Sequence, residues 1–395
     1  MTTLAFDPRG LLKWCQSDLD ALLDCLRRAV EIESPSGAKA SIDAMARFFA
    51  WEFSAAGATS AALLDHPAAG AAVVAGFPAT QPHVPGRRRQ GDEAKPILLL
   101  GHHDTVWELG TLAEMPYRLR AGRAYGPGIF DMKSGIVCAL WAMKALQALQ
   151  VPRARPVRVF LNPDEETSSR AFRQRLLTEA KGARAVLVLE PAMGAGALKT
   201  ARKGVGEFVL TVRGRPAHAG INPAAGVNAI TELARQILRL EQLLDSRKGI
   251  TLTVGVIQGG TRVNVVPEMA RARVDVRVPR QVDAQWIERR VRALKPVHRE
   301  ARLEIEGGVN RPPLERKLAV ALFKQARELA DRMGFELAEA STGGGSDGNF
   351  TAALGIPTLD GLGGVGDGAH ARHEHVIVRE LPRRAALLAA LIASL

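Results

Sequence analysis

The sequence predicts an α/β protein: a mixed, largely parallel sheet flanked by helices, with a smaller domain inserted into it. Two observations lead to this prediction. Short apolar runs of strand length alternate with helical stretches along most of the chain, which is the pattern of a sheet covered by helices. Between about residues 204 and 314 the order of elements becomes β-α-β-β-α-β, as in a split βαβ domain. A chain of 395 residues is also too long for one ordinary core.

The elements of the larger domain are predicted from local patterns. Leucines recur at helical spacing over the first fifty or so residues, which predicts helices there. Apolar runs of strand length, bounded by Pro, Gly or charged residues, predict strands at 71–77, 97–100, 157–161 and 185–189. The stretch 134–149 carries Ile136, Leu140 and Met143 on one helical stripe. A last helix is predicted at 382–394.

The inserted domain begins where the character of the sequence changes, near Gly204. Strands are predicted at 207–212, 251–257, 270–278 and 301–306, and helices at 227–244 and 282–294. Residues 204–314 are therefore expected to form an independent domain. Residues 1–203 and 315–395 are expected to form the two parts of the larger domain.

Composition excludes several classes of protein. No run of eighteen apolar residues occurs, and the N-terminus lacks the features of a secretory signal, so a cytoplasmic protein is expected. Three scattered cysteines do not make a disulfide framework. The net charge of +12 indicates either an acidic partner or solvated arginines. The second interpretation is favoured, and no nucleic acid partner is expected, because the arginines are dispersed and only two Tyr occur. The basic loop 81–96 has no functional explanation.

Five segments combine His, Asp or Glu with a strand end or a Gly-rich turn. They are GHHDTV (101–106), GPGIFDMKSG (126–135), NPDEET (162–167), LEP (189–191) and GAHARHEHV (368–376). Imidazole and carboxylate are ligands that zinc prefers. The active sites of open α/β sheets form at the carboxyl ends of strands. Together the segments supply ligands for two zinc-like ions and one further carboxylate that can act as a base.

The first two segments offer a histidine and two acids. His102 and Asp104 project to the same side of an extended chain, so Asp104 can orient or polarise the imidazole of His102. His103 points the other way and is expected to be structural. Asp131 follows two glycines and precedes a helix. It is either an acid that the helix dipole stabilises or a carboxylate that bridges two metals.

The other three segments add carboxylates and a second imidazole. Glu165 and Glu166 are either a solvated loop pair or a metal ligand, Glu166, beside a free general base, Glu165. Glu190 ends the next strand at the same sheet edge, and His370 lies in a Gly-rich loop. The nearby histidines at 373 and 375 are expected at the surface or behind the ligands.

In order and spacing, the five segments resemble those of the M20 metallopeptidase family, and most of all the glutamate carboxypeptidases of the carboxypeptidase G2 type. The resemblance runs from about residue 98 to 376. It implies a fold like that of di-zinc exopeptidases and two Zn²⁺ ions, with Co²⁺ or Mn²⁺ as alternatives, bridged by a water. The implied roles are Asp131 as bridging ligand, His102 and Glu190 in one site, Glu166 and His370 in the other, and Glu165 as general base. Met132 stands where some members carry a second acid.

The resemblance also makes the insert a lid and dimerisation domain. His218 in RGRPAHAG resembles a lid histidine that reaches an active site across a dimer interface; its residues alone favour a loop histidine. Asn264 in RVNVVP resembles a lid residue that contacts substrate. Arg277 in VDVRVP and Arg311 in VNRPP resemble residues that hold a substrate carboxylate. The alternatives are a strand salt bridge for Arg277 and a loop charge for Arg311.

These features imply hydrolysis of an amide bond that releases a C-terminal amino acid, with glutamate favoured, from a peptide or N-acyl conjugate. The alternative in the same class is an N-acyl amino acid deacylase similar to acetylornithine deacetylase or succinyl-diaminopimelate desuccinylase. A different class is a binding module that has kept the fold and lost activity, although no ligand or base is missing. The expected partners are a small-molecule substrate with a free carboxylate and a second copy of the chain through the insert, with no membrane contact.

Overall fold

The computed structural model describes residues 6–80 and 95–395, so the basic loop predicted at 81–96 lies almost wholly outside the described residues. The chain forms two compact units. The larger consists of Met1–Thr200, Arg316–Ala340 and Ser346–Leu395, and the smaller of Ala201–Glu315 and Ser341–Gly345. The predicted boundaries leave 341–345 in the larger domain, whereas here this segment groups with the smaller unit. The reason is local hydrogen bonding: the Lys203 amide donates to the Thr342 carbonyl at 3.0 Å.

The helices and strands follow each other as the alternation predicts. The helices are α1 (Pro8–Ser17), α2 (Leu19–Glu31), α3 (Lys39–Ala55), α4 (Thr111–Glu114), α5 (Ser134–Ala148), α6 (Arg173–Lys181), α7 (Ala229–Glu241), α8 (Gln281–Arg292), α9 (Arg316–Met333), α10 (Gly348–Ala353) and α11 (Leu381–Ser394). The strands are β1 (Ser60–Leu64), β2 (Ala72–Phe77), β3 (Ile97–His102), β4 (Arg118–Arg120), β5 (Arg123–Tyr125), β6 (Val157–Asn162), β7 (Ala185–Val188), β8 (Leu198–Arg202), β9 (Gly204–Arg213), β10 (Thr251–Gly259), β11 (Met269–Val278), β12 (Arg302–Arg311), β13 (Glu339–Thr342), β14 (Thr358–Leu359), β15 (Gly366–Asp367) and β16 (His375–Ile377).

The main sheet has the order β1-β2-β6-β3-β7-β14. Strands β6, β3, β7 and β14 run parallel to one another. At one edge of the sheet, β2 pairs antiparallel with β6, and β1 pairs antiparallel with β2. This confirms the predicted mixed, largely parallel sheet. The register places His102 beside Asn162 at the carboxyl ends of β3 and β6. The segments that follow β3, β6 and β7 therefore emerge at the same edge of the sheet.

Helix α5 begins three residues after Asp131 and is buried on nearly all sides, not only on the predicted stripe. It packs against β3 on one side and against α1, α2 and α11 on the others. Full burial of one large apolar side chain stabilises the fold by about 1.5–3 kcal/mol, so this helix fixes the turn before it firmly. Gly135 allows the close approach, because a Cβ there would lie 1.9 Å from the Leu189 carbonyl oxygen.

The smaller unit has the predicted β-α-β-β-α-β order, formed by β9-α7-β10-β11-α8-β12. Its four strands form an antiparallel sheet in the order β10-β11-β9-β12. Buried residues alternate with more exposed ones along β9 and β11, as expected for a sheet covered on one face. Helix α7 begins two residues later than predicted, because the Asn228 side chain caps it by accepting from the Thr231 amide.

Within residues 6–80 and 95–395, no helix combines the length and the apolar character that a membrane crossing requires.

Candidate metal centre

Two clusters of imidazole and carboxylate groups meet at the carboxyl edge of the main sheet, in the larger unit. One contains His102, Asp131 and Glu190, and the other contains Asp131, Glu166 and His370. Asp131 belongs to both, and in each cluster the ligand atoms lie within 4.8 Å of one another. The five residues come from separate segments of the chain, which the strand ends and the turn before α5 bring together.

The spacing of these atoms fits metal coordination. His102 Nε2 lies 3.3 Å from Asp131 Oδ1 and 3.6 Å from Glu190 Oε1. His370 Nε2 lies 3.4 Å from Asp131 Oδ2 and 3.4 Å from Glu166 Oε1. Ligand atoms around a tetrahedral zinc at about 2.0–2.1 Å are about 3.3–3.4 Å apart. Each Asp131 oxygen faces a different histidine, as a bridging carboxylate requires. The chain therefore has residues suited to a dinuclear metal site.

The electrostatics of both clusters favour a bound cation. Burial lowers the pKa of His102, but Asp104, Asp131 and Glu190 outweigh burial and raise that pKa well above its ordinary value. Hydrogen bonds with Asp131 and Glu166 raise the pKa of His370 to about 10. Each imidazole thus lies where negative charge favours either a proton or a metal ion.

The pKa of the shared carboxylate, Asp131, is also set by burial and hydrogen bonds that act in opposite directions. Burial alone would raise the pKa of Asp131, but hydrogen bonds with His102 and His370 hold it far below its ordinary value. Burial also raises the pKa of Glu166 above its ordinary value, against the lowering effect of His370. Asp131 is therefore ionised at any ordinary pH, as a bridging ligand must be.

Asp104 links two of the segments. Its Oδ1 lies 3.4 Å from His102 Nδ1, and its backbone oxygen is 3.0 Å from the same nitrogen. The Glu165 and Glu166 amides donate to the Asp104 carboxylate at 3.2 and 3.1 Å, and the Ser36 hydroxyl donates at 2.7 Å. The contact with His102 was predicted from the H-x-D spacing. The contact with the Glu165–Glu166 turn was not, since it depends on how β3 and β6 align.

Glu165 is 8% exposed and begins a short turn after β6. It belongs to neither ligand cluster among the described residues, whereas its neighbour Glu166 does. The two adjacent carboxylates therefore differ: Glu166 contributes a ligand atom to a cluster and Glu165 does not.

The remaining histidines of the five segments lie outside both clusters of the described residues. His103 is buried, and burial lowers its pKa to about 4, so its ring is neutral at neutral pH. His373 is exposed, as predicted. His375 is not at the surface: it is 7% exposed, with its ring centroid 5.3 Å from that of Tyr125.

Two buried residues near the centre were missed by the sequence analysis. Glu374 lies four residues after His370, and its carboxylate accepts hydrogen bonds from the turn that carries Asp131. Its sequence signal was weak, because Glu374 stands between His373 and His375, which are equally plausible polar residues. Lys199 on β8 places its Nζ 3.9 Å from Glu190 Oε2. No motif pointed to Lys199.

Two of the predicted lid residues are neighbours within the smaller unit. The Ala219 amide, next to His218, donates to the Asn264 backbone oxygen at 3.0 Å. His218 is exposed, and its Nδ1 accepts from the Gly220 and Ile221 amides at 3.1 and 3.2 Å. These bonds fix the imidazole through Nδ1 and leave Nε2 pointing away from its own turn.

Arg277 and Arg311 flank the same residue of the central strand, because both pair with Val205. Arg311 is 7% exposed. Arg277 makes the strand ion pair that was the alternative interpretation: its Nε and Nη2 donate to Asp275 at 2.9 Å each. Its Nη1 donates to the Gly343 carbonyl at 3.2 Å.

The chain is similar to known proteins over most of its length. A model of peptidase family M20/M25/M40 matches residues 98–394. The chain is 32% identical to carboxypeptidase G2 of Pseudomonas sp. (strain RS-16), over 78% of this chain and 75% of that one. It is 30% identical to acetylornithine deacetylase of Myxococcus xanthus, over 75% of this chain and 79% of that one.

The fold is similar to that of aminopeptidase PepT from Bacillus cereus ATCC 10987, with a TM-score of 0.77 and 20% identity, over 95% of this chain and 98% of that one. The family match spans all five motif segments and the inserted domain. The chain therefore belongs to peptidase family M20/M25/M40 and is an enzyme of the metallopeptidase and amidohydrolase class.

Proposed function

We propose that the enzyme uses two Zn²⁺ ions to release a C-terminal amino acid, with glutamate preferred, from a peptide or an N-acyl conjugate. The observation that carries this proposal is the pair of ligand clusters that share Asp131, with Glu165 outside both clusters and next in sequence to the ligand candidate Glu166. His102 and Glu190 would complete one site, and Glu166 and His370 the other. When bound, two such ions would supply Lewis acidity toward the scissile carbonyl and would lower the pKa of the attacking water.

The residues of the chain divide the remaining work. Glu165 takes the proton of the attacking water and passes it to the leaving amine. Asp104 holds the turn of Glu165 through the backbone amides and orients His102 at the same time. In both functions the Asp104 carboxylate acts through another residue, so Asp104 is a positioning residue.

The lid residues would complete the site on the substrate side. His218 stabilises the oxyanion that forms on the carbonyl, using the Nε2 that its own turn leaves available. Arg277 and Arg311 hold the carboxylate of the leaving amino acid, and Asn264 contacts the substrate. Arg277 presents its guanidinium in an orientation that Asp275 fixes. The hinges for lid movement would lie near the two ends of the insert, where Arg202 and Leu314 exchange two backbone hydrogen bonds.

The His218→Ala variant is expected to lower kcat by about 10²–10³-fold, as for loss of one oxyanion donor, while both metals stay bound. His298→Ala is the matched control, since His298 also accepts a turn amide through Nδ1 in the same unit. The control should leave kcat unchanged. Steady-state kinetics and metal analysis of both variants measure this. Loss of metal in His218→Ala, or an unchanged kcat, would count against the role.

We further propose a homodimer through the smaller unit, in which His218 serves the partner's site. Strand β10 is at an edge of its sheet, and Val256 and Ile257 on it are 44% and 55% exposed. Mixing His218→Ala with Glu165→Gln then tests the arrangement. If His218 acts across the dimer, random pairing restores about a quarter of the active sites, because one site of each mixed dimer is intact. No recovery, with mixed dimers shown by native mass spectrometry, would place His218 in its own subunit's site.

Substrate preference is best decided by a panel of N-acyl amino acids and short peptides, assayed for release of free amine by the metal-loaded enzyme. Release of C-terminal glutamate at the highest kcat/KM is expected. Highest activity on acetylornithine or succinyl-diaminopimelate would favour the deacylase alternative, which the likeness to acetylornithine deacetylase supports. Failure to release any free amino acid would contradict both.

A further inference from the structure

Glu374 occupies an unusual position for a glutamate. It is 0% exposed, and its carboxylate accepts four hydrogen bonds. The Phe130 and Asp131 amides donate to Oε1 at 2.9 and 3.0 Å. The Gly128 amide and the Trp107 indole donate to Oε2 at 2.9 and 2.7 Å. A buried carboxylate needs such donors to be tolerated, and each of these bonds is charge-assisted.

These bonds join two separate parts of the metal centre. Three of the donors belong to the turn that carries Asp131, and the acceptor lies four residues after His370. His370 itself has a positive φ of 61° in a loop between β15 and β16, and its side chain is 52% exposed. The Glu374 amide donates to the Ala371 carbonyl at 2.9 Å, which closes that loop. Glu374 thus ties the loop of one ligand to the turn of another.

The cluster of His102, Asp131 and Glu190 shares Asp131, but its other two ligands do not depend on the His370 loop. His102 is 2% exposed on the central strand β3, and Asp104 holds its other nitrogen. Glu190 lies two residues after the end of β7 and is 8% exposed. Both ligands are fixed by the sheet, whereas His370 is fixed only by its loop.

We propose that Glu374 is a positioning residue that sets the distance between Asp131 and His370, and so determines the affinity of the Asp131–Glu166–His370 site in particular. The inference rests on the proposed two-metal function. An outer partner that orients metal ligands changes metal affinity by about 10–100-fold when it is replaced. Here the larger effect falls on one site, because Asp131 belongs to both sites but only His370 depends on the loop.

The test measures binding of Zn²⁺ and Co²⁺ to the Glu374→Gln variant. An amide at this position offers its NH₂ to backbone donors, so one or two of them lose their acceptor. Metal content after dialysis is expected to fall from about two ions per chain to about one, with the weaker site losing about 10–100-fold in affinity. Cobalt spectra should retain the band of the remaining site, and kcat should fall more than KM changes.

The matched control is Glu232→Gln in α7. Glu232 is 1% exposed and its carboxylate accepts from the Val297 and His298 amides and the Gln236 side chain, far from any ligand in sequence. This variant is expected to lose thermal stability and to keep both metals. Equal loss of metal in the control and in Glu374→Gln would mean that destabilisation alone explains the result, and the inference would be wrong.

Trp107→Phe provides a second variant that leaves the carboxylate in place and removes one of its four donors. It is expected to weaken the same site by a smaller factor, which keeps the inference testable if Glu374→Gln does not fold. Unchanged metal affinity in a folded Glu374→Gln variant would overturn the inference. If only Trp107→Phe folds, unchanged metal affinity in that variant would do the same. Either result would leave the two-metal function intact. A wild-type chain that binds no metal would instead contradict the function.

Discussion

Replacing Glu165 with Gln is expected to leave both metals bound and to lower kcat by about 10³–10⁴-fold, the upper range for loss of a general base. Glu165 is 8% exposed and lies outside both ligand clusters of the described residues, so the substitution removes no atom from either cluster. The amide has the same shape and keeps the backbone bond to Asp104. What it lacks is the ability to take a proton from water.

Glu166→Gln is the matched comparison, because it makes the same substitution on the next residue of the same turn. Glu166 Oε1 lies 3.4 Å from His370 Nε2 within a ligand cluster, so this variant should lose metal as well as turnover. Metal analysis and steady-state kinetics of the two variants distinguish a general base from a metal ligand. Normal turnover in Glu165→Gln, or metal loss equal to that of Glu166→Gln, would contradict the assignment of Glu165 as the base.

Much of the fold could be predicted because its patterns are local. The strands at 97–100 and 157–161 were recognised by short apolar runs, and the insert by its alternating β11. Helix α5 shows where local patterns are insufficient. Its predicted stripe would suit a helix with one solvated face, but α11 and α1 cover the rest of it. A local pattern of about fifteen residues cannot predict burial by segments that are distant in the sequence.

The same distinction explains the site. His102, Glu166 and Glu190 could be found because each follows a strand, and parallel strands bring their carboxyl ends to one edge. Glu374 could not, since its partners lie more than two hundred residues earlier in the chain. For Arg277, the pattern showed an arginine two residues from Asp275 in a strand, and only the structure shows their hydrogen bonds.

The Asp131→Ala variant is expected to lose both metals and to reduce turnover by more than about 10³-fold, because the two clusters share this one carboxylate. His102 and His370 each face a different oxygen of Asp131, at 3.3 and 3.4 Å. Replacing any other ligand removes a donor from one cluster, so Glu190→Gln should keep the Asp131–Glu166–His370 site occupied.

The comparison of Asp131→Ala with Glu190→Gln therefore measures whether the carboxylate bridges. Equilibrium dialysis with Zn²⁺, followed by metal analysis, should give fewer than one ion per chain for the first variant and about one for the second. Circular dichroism controls for folding, since Asp131 lies in the turn that α5 and Glu374 both fix. If Asp131→Ala retained one ion at wild-type affinity, the two sites would be independent. The bridging role, and the activation of water between two ions that depends on it, would then have to be abandoned.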